Sequence, residues 1–132
     1  DNLWSYQKTH GDAGWDAFPT YLDVVVPRIL EVTAARGLTI TVFVVGQDAA
    51  DPRNHDALAA LAEAGHEIGN HSFRHQPWLH RYSLEELHQE FARTEEALEE
   101  ACDASRREVW GPLWVDTNKP EGWHPADVRV SS

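Results

Sequence analysis

The chain has 132 residues, of which 22 are Asp or Glu and 11 are Lys or Arg, for a formal net charge of -11. That length suits one modest domain with a core and is short for a closed eight-stranded α/β barrel; the acidic balance, with no local basic patch, argues against a nucleic-acid backbone or an anionic membrane surface as partner. With 42% hydrophobic residues the composition is that of a globular protein, and no apolar run is long enough to cross a bilayer.

Cys102 is the single cysteine, which excludes an internal disulfide and leaves extracytoplasmic and cytoplasmic locations both open. The chain contains no methionine, so Asp1 is not expected to be a translation start. A segment before it is expected to have been processed away or left out, and a signal peptide is compatible with that.

Residues 1 to 15 show no clear period and read as a loop containing Trp4, Tyr6, His10, Gly11, Gly14 and Trp15. Its aromatics either pack together or face a substrate, and packing is the commoner use of such side chains. From Pro19 to Ala35, apolar residues fall at Leu22, Val25, Val26, Ile29 and Leu30, the stripe of a helix with one buried face. Proline disrupts a helix interior, so the regular helix is expected to begin near Pro27, with Gly37 as a left-handed stop.

Thr39 to Val45 is rich in β-branched and aromatic residues and reads as a strand covered on both faces. A loop from Gly46 leads to Asp51 and Pro52, an N-cap and first helical position. Leu58, Leu61 and Ala62 mark the helix, which ends at Gly65. His66 to Asn70 is the next strand. Helices and strands that alternate in this way predict parallel strands joined by right-handed crossovers, with functional groups at the carboxyl ends of the strands.

His71 stands at such an end and His75 four residues later. If the chain turns into a helix there, both imidazoles share one face, a geometry that suits two ligands of one divalent cation. The other reading is two surface histidines beside a loop. Ser83-Leu-Glu-Glu86 is a capping box, and Leu84, Leu87, Phe91, Leu98 and Ala101 continue a helix to about Cys102. Its glutamates read as a solvated face, and His66, His80 and His88 as ordinary surface or loop histidines. Val109 is the candidate start of a further strand. Beyond it periodicity is lost among Pro112, Pro120 and Pro125 and Trp110, Trp114 and Trp123.

The strand ending at Gly46, the helix after it, the segment Ala64-Gly-His-Glu-Ile-Gly-Asn-His-Ser-Phe-Arg-His75 and the acidic helix together resemble the polysaccharide deacetylases of carbohydrate esterase family 4, the NodB homology domain. The resemblance covers residues 1 to 105 as a partial domain and leaves 106 to 132 as an irregular tail. It implies an α/β fold of the distorted (β/α) barrel type, here partial, and a metal-dependent hydrolase that removes acetyl groups from an acetylated polysaccharide or amino sugar.

It also implies a divalent metal, usually zinc in the family, held by His71, His75 and an aspartate. Asp1-Asn2-Leu3-Trp4 is similar to the second half of the family's aspartate motif. On that basis Asp1 is the third ligand, and the family's catalytic base would precede it. An arginine shortly before a proline is expected near Pro112, where Trp110 stands. His124 does not match the family's later histidine motif. A catalytically inactive module that binds metal or carbohydrate is therefore the alternative. A helix-borne zinc peptidase motif is disfavoured because Ser72, rather than a glutamate, follows His71. With half a barrel, parallel-strand edges would be left unpaired, so either a homo-oligomer closes the sheet or the fold is incomplete.

Overall fold

The computed structural model describes residues 1–102; the tail from 106 to 132, with Val109, Trp110 and His124, lies outside the described residues. Helix α1 spans Leu3–Thr9, α2 Leu22–Arg36, α3 Gly46–Ala49, α4 His55–Glu63 and α5 Leu84–Cys102; strand β1 spans Thr41–Val44 and β2 Glu67–Asn70. The two strands pair in parallel, with Thr41 opposite Glu67 and Val44 opposite Asn70. This is the expected alternation joined by a helical crossover. Among the described residues the sheet has two strands, which do not close a barrel.

The amino-terminal segment, expected to be a loop, contains α1. Asn2 caps this helix, its side chain accepting from the Leu3 N–H, as short polar side chains do at helix starts. Only Trp4 and Ser5 of α1 are buried, too short a pattern to show a helical period. Helix α2 starts at Leu22, ahead of Pro27, which lies inside it. Pro27 falls in the second turn, where its missing N–H removes one intrahelical bond near an end whose first donors lack such partners anyway. The Val24 and Val25 N–H groups both find the Tyr21 carbonyl, at 3.0 Å each. Gly37 ends α2 in the left-handed region at φ 61°, as expected.

Asp51 accepts from the Arg53 N–H and Pro52 follows it, opening a short 3-10 turn that leads into α4. Leu58, Leu61 and Ala62 on α4, Ile68 on β2 and Leu98 on α5 are each at most 2% exposed. They form one core with Val26, Val44, Phe73 and Cys102. Full burial of each large aliphatic side chain contributes roughly 1.5–3 kcal/mol. Burial also pushes the Cys102 thiol up to about 11, so Cys102 packs as an apolar residue.

Strand β1 is exposed at Thr41 and buried only by Val44, so it is not covered on both faces along its length. His66 is buried rather than exposed, 3% accessible; its Nε2 lies 3.2 Å from the Thr33 hydroxyl and its Nδ1 accepts from the Ile40 N–H at 3.4 Å. It joins α2 to the entrance of the sheet.

Candidate metal centre

Both strands end at the same edge of the fold, and the candidate site forms there. After β2 the ladder continues for one more bond, from the His71 N–H to the Val44 carbonyl at 3.0 Å. The chain then makes a tight loop instead of the expected helix. Ser72 and His75 both have positive φ, 60° and 55°, a region in which side chains other than glycine are uncommon. These two left-handed turns, rather than helical spacing, bring the imidazoles together, with ring centroids 5.0 Å apart.

The loop is held on several sides. The Gly46 N–H donates to the Ser72 carbonyl at 2.8 Å and the Gln47 N–H to the Phe73 carbonyl at 3.1 Å. Asn70, fully buried, accepts from the Ser72 N–H at 3.0 Å and donates to the Phe91 carbonyl at 3.0 Å. Glu90 accepts from the Phe73 and Arg74 N–H groups, both at 3.0 Å. Gly46 permits the close approach: a Cβ there would lie 2.5 Å from the Phe73 ring and 2.5 Å from the Thr94 hydroxyl.

Asp1 reaches the same point from the other side. Its Oδ1 lies 3.2 Å from His71 Nε2 and its Oδ2 3.2 Å from His75 Nε2. The segment that carries it is fixed by Asn2, 1% exposed. The Asn2 amide donates to the Thr20 hydroxyl at 2.9 Å and to Asp48 Oδ1 at 3.0 Å. Trp4 Nε1 donates to that same oxygen at 2.6 Å, and the Tyr21 hydroxyl donates to the Asp1 carbonyl at 2.5 Å.

The donor set fits a divalent cation. One ligand atom from each of Asp1, His71 and His75 lies within 4.8 Å of the others, and among the described residues this is the one such group. Tetrahedral bonds of about 2.1 Å place neighbouring donors roughly 3.4 Å apart, close to the 3.2 Å between Asp1 and each imidazole. Burial holds the His75 imidazole below its ordinary pKa, which favours the neutral form that can donate a lone pair. Its Nδ1 lies 3.3 Å from the Thr9 hydroxyl, the kind of partner that fixes the tautomer and orientation of a ligating imidazole.

Beside the histidines opens a cavity of about 340 Å³ lined by His71, Ser72, His75, Gln76, Pro77, Leu79 and His80, large enough for part of a small ligand. His80, read from sequence as an ordinary histidine, is exposed but forms part of this wall. No spacing rule relates it to His71 and His75; the 3-10 turn Leu79–Arg81 brings it there.

The sequence matches the family model for polysaccharide deacetylase over residues 12–113, a stretch that includes His71 and His75 and excludes Asp1. The chain belongs to the polysaccharide deacetylase family. It is also similar to a solved family 4 carbohydrate esterase from Streptomyces lividans, in complex with acetate, at 25% identity and a TM-score of 0.54. That match covers 70% of this chain and 52% of the esterase; the chain spans about half the length of this relative.

Proposed function

We propose that this chain is the metal-holding part of a hydrolase that removes acetyl groups from an acetylated polysaccharide or amino sugar. The observation that carries the reading is the convergence of Asp1, His71 and His75, within 4.8 Å of one another, in a chain of the deacetylase family. The similarity to a carbohydrate esterase in complex with acetate supports an acetyl ester or amide as substrate. Two imidazole nitrogens and one carboxylate as donors make zinc the cation of choice.

A cation held there would supply Lewis acidity to the acetyl carbonyl and to an attacking water. The residues of the chain bind and orient. His71 and His75 present Nε2 from a loop fixed at both ends, Thr9 sets the His75 ring, and Asp1 supplies the anionic donor. The cavity beside them leaves one side of the cluster open to substrate. No general base or acid is assigned among the described residues.

The test is zinc titration of the chelator-treated protein, followed by acetate release from acetylated chitin oligomers and acetylated xylan with the chain extended to the length of its relatives. Stoichiometric binding abolished by His71→Ala, with metal-dependent acetate release, is the expected result. Binding without turnover in the extended protein would favour the inactive, metal- or carbohydrate-binding alternative. A protein that binds no divalent cation would sink the metal centre altogether.

A further inference from the structure

We infer that Glu90, on helix α5, is a positioning residue for the metal centre: its buried carboxylate sets the backbone of the loop that carries both histidines. The inference rests on the metal-centre reading above. The glutamates of α5 are for the most part exposed or half-exposed, but Glu90 is 5% exposed. It occupies the stripe that also buries Phe91, Thr94, Ala97, Leu98 and Ala101. An ionised carboxylate in such a place is costly unless fully hydrogen-bonded, and an apolar side chain would serve packing alone better.

The partners of Glu90 explain its presence. Its Oε2 accepts from two successive backbone N–H groups, Phe73 and Arg74, at 3.0 Å each, and its Oε1 lies 3.4 Å from Arg74 Nη1. Phe73 and Arg74 lie between the two left-handed residues Ser72 and His75. A turn of this kind aims successive N–H groups into one concavity that favours an anion, and Glu90 fills it. The carboxylate thereby opposes relaxation of a backbone strained by two residues of positive φ. The relative placement of His71 and His75 depends on those dihedrals. Glu90 reaches the loop through two backbone N–H groups and the Arg74 guanidinium, so its effect on a bound cation would pass through the loop.

Three substitutions test this in the intact chain, with cobalt as the spectroscopic probe and zinc affinity measured by competition with a chelator. Glu90→Ala is expected to lower zinc affinity by about 10- to 100-fold, the range typical for a lost outer-shell partner, and to shift the cobalt absorption bands. Glu90→Gln keeps an oxygen for both N–H groups and is expected to restore affinity to within about threefold of wild type. Glu90→Asp, which draws the carboxylate back by one methylene, is expected to behave like Glu90→Ala and carries the test if Glu90→Ala fails to fold. Ile29→Ala, partly buried on α2 and packed against the core, is the control for general destabilisation and is expected to leave affinity and spectrum unchanged. Wild-type affinity and spectrum in Glu90→Asp, or an equal loss in Ile29→Ala, would overturn the inference. A wild-type chain that binds no cation would instead overturn the metal centre on which it rests.

Discussion

The candidate site has two sides built in different ways. The histidine side is one continuous loop, Asn70 to His75, tied by backbone bonds to Gly46 and Gln47 and by buried Asn70 and Glu90 to α5. The aspartate side is a single residue, 37% exposed at its side chain, whose position depends on the buried Asn2 that follows it. On the proposed reading, the precision of the metal site would reside in the loop, with Asp1 completing a geometry that the histidines define.

This difference is open to test. His71→Ala and His75→Ala are each expected to weaken zinc binding by more than about 100-fold, beyond the range typical of outer-shell losses. Asp1→Ala is expected to cost about tenfold, since a water can take the place of a half-exposed carboxylate ligand. Competition titrations of the three variants decide the matter. Equal losses at all three positions would mean that the two sides contribute alike.

The same contrast governs what could be read from sequence. The pairing of His71 and His75 was legible because both residues lie in one short segment after a recognisable strand, although what joins them is a loop with two residues of positive φ rather than a helical turn. Local spacing does not reveal such strain, since Ser and His are ordinary choices elsewhere. Asp1 was legible only through family resemblance, because it comes to the histidines across most of the chain. The crossover helix and Asp51-Pro52 followed from caps and periodicity. Helix α1 did not, because seven residues with one buried aromatic carry no period. Glu90 was within reach: it lies four residues before Thr94 and eight before Leu98, on the buried stripe, but a helix with so many exposed glutamates hides the one that faces inward.

Stability should divide along the same line. Gly46→Ala places a Cβ within 2.5 Å of the Phe73 ring and of the Thr94 hydroxyl, contacts that need a shift of the loop or of α5. A loss of about 1–3 kcal/mol is expected from such overpacking, measured by urea unfolding, together with weaker zinc binding because Phe73 lies between His71 and His75. On the other side, Asn2→Ala removes a donor from buried Asp48 and a helix cap. About 1–2 kcal/mol is expected from these losses, with zinc binding reduced no more than in Asp1→Ala. An Asn2→Ala variant that binds zinc less well than His75→Ala would overturn the ranking of the two sides.

The smallest expected effect concerns the carboxylate on which the aspartate side is anchored. Burial raises the Asp48 pKa above its ordinary value, opposed by the hydrogen bonds from Trp4 and Asn2. An acid whose pKa is higher in the folded than in the unfolded state binds more protons when folded between those two values. Its contribution to stability is present below the unfolded value, near pH 4, and is lost as the pH rises through the folded one. Asp48→Asn retains an oxygen to accept from Trp4 and Asn2 but cannot ionise. The stability of wild type relative to Asp48→Asn is therefore expected to fall as the pH is raised from about 4 and then to level off. Chelator-treated protein isolates the effect from metal binding, and the difference between the two unfolding curves cancels titrations elsewhere. A difference that is flat with pH would show that the Trp4 and Asn2 hydrogen bonds balance burial, and one that rises would show that they outweigh it. The aspartate side would then be held by a charge that the fold favours, and its contrast with the histidine side would narrow.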